Sequence, residues 1–330
     1  MRHYFTSCDA RYLPRLQVLH ESMRRHCEPF TLHVLALGEL AAAWCASRHD
    51  VKAIPVDHLL DRFPELAIDR MPGPPRYRVD EQLCTWRWWA ALELLTTYGR
   101  DSLTCIDADA MFWSSPEAML AELDAGAAGF GVMPHAMATA ADGAPGITVE
   151  DHGHFGLYNG GFVYLRDVPQ AALLARYVWE WCYAGWRKHP DGRSTYGDQG
   201  YLELILERHP GAVISDPGFI TAPWNLNVHE LELDGAGVRV DGRPLVWFHY
   251  LGYTHEQRAY VSYATTKEHD RILYEPYRRR LRAAELELGF VNPPVFAPGE
   301  KIPGPPCRAC GERPRPGKMC GQCGRRAARA

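Results

Sequence analysis

Nowhere in these 330 residues does the chain stay apolar for the roughly 18 positions a membrane-spanning helix requires, so no such span is expected. Behind the first charge there is no apolar stretch of the kind that marks a secretory signal peptide, which makes the cytoplasm the expected compartment. Neither sign of charge prevails. Lys and Arg number 36 against 40 Asp and Glu, a formal net charge of -4, which excludes a broad positive field for nucleic acid and leaves only local basic surface. No internal repeat is present, and neither is a phosphate-cradling Gly-rich loop.

What remains is globular: 46% of residues are hydrophobic, with 10 Trp and 16 Tyr, enough for a large core and for rings that stack on sugars or bases. The length suits one large domain or two medium ones. Six of the ten cysteines stand singly (Cys8, Cys27, Cys45, Cys84, Cys105 and Cys182) in apolar or helical contexts, as reduced cysteines do.

The opening alternates short apolar strands with helical patterns, the mark of an α/β sheet whose ligands gather at the carboxyl ends of strands. Strands are expected at His3–Ser7, Leu32–Leu37, Val51–Val56, Leu103–Ile106, Phe162–Leu165, Ala212–Ser215 and Leu245–His249. Helices are expected at Leu13–His26, Glu81–Tyr98, Ala171–Trp186, Asp198–Arg208 and Lys267–Leu288. The segment Gly126–Gly156, rich in Gly, Ala and His, reads as a strand and a long loop, and long loops in compact domains are often functional.

Chemistry first shows at Asp107-Ala108-Asp109, where the apolar strand Leu103–Ile106 stops. Carboxylates two apart on a strand face opposite ways, so both reach one ion only where the strand breaks into a turn. Hard oxygen ligands of this kind suit Mg or Mn, which in turn binds phosphate oxygens.

Five motifs in order resemble the GT-A glycosyltransferases, most closely glycosyltransferase family 8, the group of glycogenin and the lipopolysaccharide galactosyltransferases. They are Phe5 to Leu13, the Asp-Ala-Asp, Tyr158 to Leu165, Gly197-Asp198-Gln199-Gly200 and Trp247 to Gly252, and the likeness runs from about His3 to His255. The resemblance implies a GT-A fold, a Rossmann-like mixed sheet flanked by helices, and transfer of a sugar from a nucleoside diphosphate sugar, a UDP-sugar above all, with retention. It implies nucleoside contacts from Thr6, Asp9 and Tyr12, a basic contact from Arg87, and donor contacts from Asp107, Ala108, Asn159, Gly160, Gly161 and Gly252. It also implies Asp198 and Gln199 at the reacting centre as catalytic candidates, and Mn or Mg held by Asp107, Asp109 and His249. The family's Lys-Pro-Trp is replaced by Tyr253-Thr254-His255-Glu256, which leaves His255 or Arg258 to meet the diphosphate. Histidines 135, 152 and 154 are candidates for the acceptor side. Taken alone, Asp9 reads better as the N-cap of a strand-to-helix turn, and Asp198 also reads as a helix N-cap.

Beyond a Pro-rich linker at 291–306, Cys307-Arg308-Ala309-Cys310 and Cys320-Gly321-Gln322-Cys323 give two Cys-x-x-Cys knuckles, the spacing of a tetrahedral zinc site. So short a module cannot fold on apolar burial alone and would depend on the metal. A structural zinc ribbon is therefore expected at 307–330, in preference to two disulfides or an iron–sulfur site. Its basic residues offer a surface for an acidic partner, a membrane or nucleic acid, while the nucleotide-sugar domain is expected over 1–290. Two other functions compete: a metal-dependent nucleotidyltransferase or phosphohydrolase, and a zinc-ribbon adaptor on a non-catalytic scaffold. The first usually carries a Gly-rich phosphate loop or a nucleophilic Asp near the first strand, and the second leaves the ordered motifs unexplained.

Overall fold

Alternating strands and helices in the first sixty residues build one side of a sheet. Strand β1 (Arg2–Asp9), helix α1 (Leu13–His26), β2 (Phe30–Leu37), α2 (Glu39–Ala46) and β3 (Val51–Pro55) follow one another, and their strands run parallel. The computed structural model describes residues 1–67, 79–97, 99, 101–137, 155–166, 168–182, 197–235, 237–253 and 266–290. His152, His154, His255, Arg258, the Pro-rich segment and the four C-terminal cysteines lie outside these.

Helix α3 (Val56–Arg62) and the long α4 (Val79–Thr96) lead to β4 (Leu103–Ile106), which pairs parallel with β1. After β5 (Ala110–Phe112), α5 (Glu117–Ala125) and β6 (Phe130–Pro134), the chain returns as β7 (Tyr158–Leu165), antiparallel to both β4 and β6. Helices α6 (Val168–Tyr177) and α7 (Gly200–Leu206) precede the short β8 (Ala212–Val213). The seven-stranded order is β3-β2-β1-β4-β7-β6-β8. Both faces of this sheet are covered. Tyr4, Leu16, Leu19, Leu32 and Val34 pack on one side, and Phe5, Leu35, Trp88, Leu94, Leu103 and Val163 on the other, as the alternation of side chains along each strand requires.

A third apolar cluster sits under β12 (Trp247–His249), which pairs antiparallel with β5 to form a separate two-stranded ribbon. Tyr250 and Tyr277 stack in it at 3.7 Å, nearly parallel at 5°. The Tyr250 hydroxyl donates to the Leu273 carbonyl at 3.1 Å, and Arg15 donates to the Tyr253 carbonyl at 3.0 Å. The backbone leaving His249 is thereby fixed to the body of the protein.

Several elements differ from expectation. Helices α2, α3 and α5, strand β5 and the β9–β11 sheet (Leu231–Asp234, Gly237–Val240, Arg243–Pro244) are additional. The helix expected over 171–186 begins at Val168 and passes into a π turn at Val178–Cys182, and the one expected over 267–288 is interrupted by another at Asp270–Tyr274. The lone cysteines Cys8, Cys27, Cys45 and Cys105 are free thiols, as a reduced protein would have.

Candidate active site

The carboxyl ends of β1 and β4 and the amino end of β7 open on one cleft of about 410 Å³. Parallel and antiparallel pairing meet at β4, so a turn leaving β4 lies beside the entry to β7, where open α/β sheets place ligands.

Strand β4 ends at Ile106 and the chain turns through Asp107, Ala108 and Asp109 into β5. The Asp107 N–H donates to the Gly161 carbonyl (2.9 Å), and the Asp109 carbonyl accepts from the Tyr250 N–H (2.8 Å). The turn is thus anchored to β7 on one side and to the chain after β12 on the other. Pairing of His249 with Ala110 puts its imidazole against the turn. Nε2 of His249 lies 3.1 Å from Asp109 Oδ1 and 3.6 Å from Asp107 Oδ2. The three donors lie within 4.8 Å of one another, and Asp109 and His249 are buried. Donors at right angles about an ion with ~2.1 Å bonds stand about 3 Å apart, which the 3.1 Å spacing matches, while the 3.6 Å spacing is wider than such an edge. Oxygen, oxygen and imidazole nitrogen suit Mn or Mg.

Burial opposes the charge of both Asp109 and His249, yet each offsets that cost for the other. Asp109 is held below the usual carboxylate range by the charge and hydrogen bond of His249, which Asp109 in turn raises above an ordinary imidazole. Nδ1 of His249 is buried and has no hydrogen-bond partner.

Helix α4 supplies the cation. Arg87 donates to Asp107 Oδ1 at 2.8 Å and to the Gly160 carbonyl at 2.8 Å. Burial disfavours its charge, but Asp107 and Asp198 outweigh that and hold its pKa above the ordinary guanidinium value. The next residue, Trp88, donates its indole N–H to Asp198 Oδ2 at 2.7 Å. Asp198 is buried, and burial pushes its carboxyl above the usual range despite the Arg87 charge. It does not serve as the N-cap of α7, a position held by Gln199.

Opposite the acidic turn, pairing of β7 with β6 jumps from Val163 to Asn159, a bulge that turns Gly160 and Gly161 toward the cleft. A Cβ on Gly161 would lie 2.7 Å from both Asn159 Oδ1 and His249 Nδ1, so only glycine fits. The Asn159 amide is oriented at both ends: Oδ1 accepts from the Gly161 N–H at 2.8 Å, and Nδ2 faces His135 Nε2 at 3.3 Å. His135 Nδ1 lies 2.8 Å from the Gly156 carbonyl and must donate to it, which leaves Nε2 to accept from Asn159. Gln199 donates to the Phe155 carbonyl at 2.7 Å, with its Oε1 3.4 Å from the Gly160 N–H.

At the cleft's other end, Asp9 Oδ1 accepts from the Arg11 and Tyr12 backbone N–H groups at 2.9 and 3.1 Å, bracing the turn before α1. Asp9 thus has the bracing task that a turn residue would have, and it also lines the cleft. The Tyr12 ring is exposed at the rim, with Arg15 5.0 Å above it, and the charge of Asp109 helps push its phenol up to about 12.

Of the residues singled out in the sequence, Asp9, Tyr12, Arg87, Asp107, Ala108, Asp109, His135, Asn159, Gly160, Gly161, Asp198, Gln199 and His249 line this one cleft. Thr6 does not. It is buried, one residue short of the cleft, and Ser7 and Cys8 line the wall in its place. Gly252 also stays off the lining, with Leu251 there instead, and its φ of +66° is a turn conformation natural to glycine. His135 is buried and lines the cleft too, with its ring engaged by the Gly156 carbonyl and the Asn159 amide. Trp88 and Trp224 escaped the sequence reading. Trp224, whose indole donates to the His135 carbonyl at 2.6 Å, stands 5.9 Å from His249, edge to face. Its only sequence signal was an aromatic followed by Asn in a Pro-containing loop.

No family model matches the chain. Two proteins of Bacillus subtilis (strain 168) are similar to it. Uncharacterized protein YfnF is 33% identical over 100 residues, 30% of this chain and 33% of that protein. Uncharacterized protein YfnD is 24% identical over 314 residues, covering 90% of this chain and 94% of its own. Among solved structures, the bifunctional glycosyltransferase WbbM superposes with a TM-score of 0.50 at 13% identity, over 88% of this chain and 51% of that one. Glycosyltransferase GlyE of Streptococcus pneumoniae TIGR4 superposes with a TM-score of 0.50 at 12% identity, over 88% of this chain and 62% of that one. The chain therefore spans a third of YfnF and between half and two thirds of these two structures. At such identities the likeness is one of fold, and the fold is GT-A.

Proposed function

We propose that this protein is a metal-dependent glycosyltransferase that moves a hexosyl group from a nucleoside diphosphate sugar, UDP being the expected nucleotide, to an acceptor, with retention. The observation that carries the reading is the convergence of Asp107 and Asp109 with His249, which lies 140 residues beyond Asp109, in a cleft that Asp198 and Gln199 also line. Mn or Mg held there would supply positive charge to the departing diphosphate. The chain's own residues do the remaining work. Asp9 and Tyr12 at the rim receive the nucleoside. Asn159, Gly160 and Gly161 let backbone approach the sugar closely, and Asp198 presents an acceptor oxygen to its hydroxyls. Arg87 neutralises Asp107, which lessens repulsion between the acidic turn and an incoming diphosphate. His255 is carried as the diphosphate contact in place of the family's Lys.

A nucleotidyltransferase or phosphohydrolase would use the acidic turn but leave the Asp198–Gln199 wall without a task. The test is calorimetric binding of UDP-glucose, UDP-galactose and UDP-N-acetylglucosamine with and without Mn, together with slow release of UDP. At least one donor is expected to bind in a Mn-dependent way and to hydrolyse slowly, and Asp109→Asn is expected to abolish both. Absence of binding to every donor, with and without Mn, sinks the reading.

The domain division at 290 and the zinc ribbon at 307–330 belong to the same proposal. Cys307, Cys310, Cys320 and Cys323 supply four thiolates, and the tail is rich in Arg, suited to an acidic partner. One zinc per chain by elemental analysis, lost in Cys310→Ser, is the expected result.

A further inference from the structure

Helix α4 places two consecutive side chains under the cleft, and they hold different carboxylates. Arg87 takes Asp107, on the metal side, and Trp88 takes Asp198, on the far wall. Trp88 is only 1% exposed and its ring packs in the core with Leu94 and Val163. Its N–H spends itself on Asp198 Oδ2, across 110 residues of sequence. The other oxygen, Oδ1, points past the bare Cα of Gly160, where a Cβ would stand 3.7 Å from it. Arg87 stacks over the Trp88 ring with its guanidinium carbon 4.9 Å from the ring centroid, which holds the indole plane. A buried carboxylate with one oxygen pinned by a rigid indole N–H has its rotamer restricted, and its other oxygen is held facing Gly160. Side chains fixed in this way read a hydroxyl's direction as well as its presence.

We infer that Trp88 is a positioning residue that sets the donor-sugar selectivity of this site: by fixing Asp198, it governs how well the sugar ring is told from its epimers, while the nucleotide is bound independently of it. This inference rests on the reading of the cleft as a nucleotide-sugar site. It separates two functions along one helix, with charge balance for the acidic turn at Arg87 and sugar recognition at Trp88.

The clean test removes the N–H alone. Trp88 is replaced by β-(3-benzothienyl)alanine, which has the same outline with sulfur for N–H, and in parallel by Trp88→Phe. Mn-dependent affinities for UDP, UDP-glucose, UDP-galactose and UDP-N-acetylglucosamine are measured for the wild type and both variants, with thermal unfolding as a check on folding. A hydrogen bond to a charged group is worth about a factor of 10 or more in affinity. UDP affinity is therefore expected to stay within about twofold, while the wild type's preference among the UDP-sugars shrinks by about tenfold. Should Trp88→Phe not fold, the sulfur isostere decides alone. Parallel loss of UDP and UDP-sugar affinity, or unchanged selectivity in a folded variant, overturns the role given to Trp88 and leaves the cleft's reading standing. A wild-type protein that binds UDP-sugars no better than UDP overturns the role too. One that binds neither overturns both.

Discussion

Gly161 sits where three demands meet. Its carbonyl accepts from Asp107, its N–H donates to Asn159, and its missing side chain leaves room for His249. Gly161→Ala is expected to cost about 1–3 kcal/mol by overpacking and to lower Mn affinity sharply, because the nearest atoms that can give way are the His249 ring and the Asn159 amide. Denaturant unfolding and Mn titration check the two effects separately. Asp198 makes a different prediction. Its carboxyl is raised above the unfolded value because burial disfavours the charge. Stability held when the group is protonated is therefore lost as pH rises through its folded pKa. Asp198→Asn should raise the melting temperature at pH 7, show no gain well below pH 4, and lose sugar transfer throughout. An equal gain at both pH values would remove burial as the cause. At this scale the sequence was readable where chemistry stood beside a pattern, as with Asp107 and Asp109 at the end of an apolar strand. Partner choice was not readable. Trp88 looks like any core aromatic of a helix until the fold brings Asp198 to it, and Thr6 differs from Ser7 only by the strand's alternation.

The β5–β12 ribbon is the element on which the candidate metal site depends, since it carries His249 to the acidic turn. One edge of β5 is bound by β12, and toward α1 the Phe112 N–H donates to Ser22 Oγ at 3.0 Å, with that hydroxyl itself donating to Leu19 at 2.6 Å. Ser22→Ala strands a buried N–H and is expected to cost about 1–3 kcal/mol, while Ser22→Thr, which keeps the hydroxyl, should cost less. Urea denaturation compares the two. The ribbon also shows why elements differ in legibility. Helix α1 has apolar residues at helical spacing over four turns and was placed to the residue, whereas β5 is three residues long and has no period to detect. Helix α5 shows only a weak stripe of Met119, Leu120 and Leu123 soon after the acidic motif, too short to establish a helical period. The π turns at Val178–Cys182 and Asp270–Tyr274 carry no sequence mark that periodicity could register.

Across the whole molecule, the GT-A fold was legible because the strand–helix alternation and the order of the motifs agreed, while the ribbon's tertiary role was not, because it depends on pairing across 135 residues or more. Among the described residues no helix is long and apolar enough to cross a membrane. If 1–290 is a self-sufficient unit, a chain ending at residue 290 should keep the donor affinity and UDP release of the full protein and lose only the bound zinc. Calorimetry and elemental analysis on the two proteins side by side decide it. Loss of donor binding together with the tail would mean that the module completes the cleft.

Arg87 and Trp88, one helical step apart, tie opposite walls of the cleft to the same rod. A slide or tilt of α4 must therefore carry Asp107 and Asp198 together, so the two walls should breathe in phase. In a relaxation experiment, the Trp88 indole proton and the Arg87 guanidinium protons would report a single shared exchange rate.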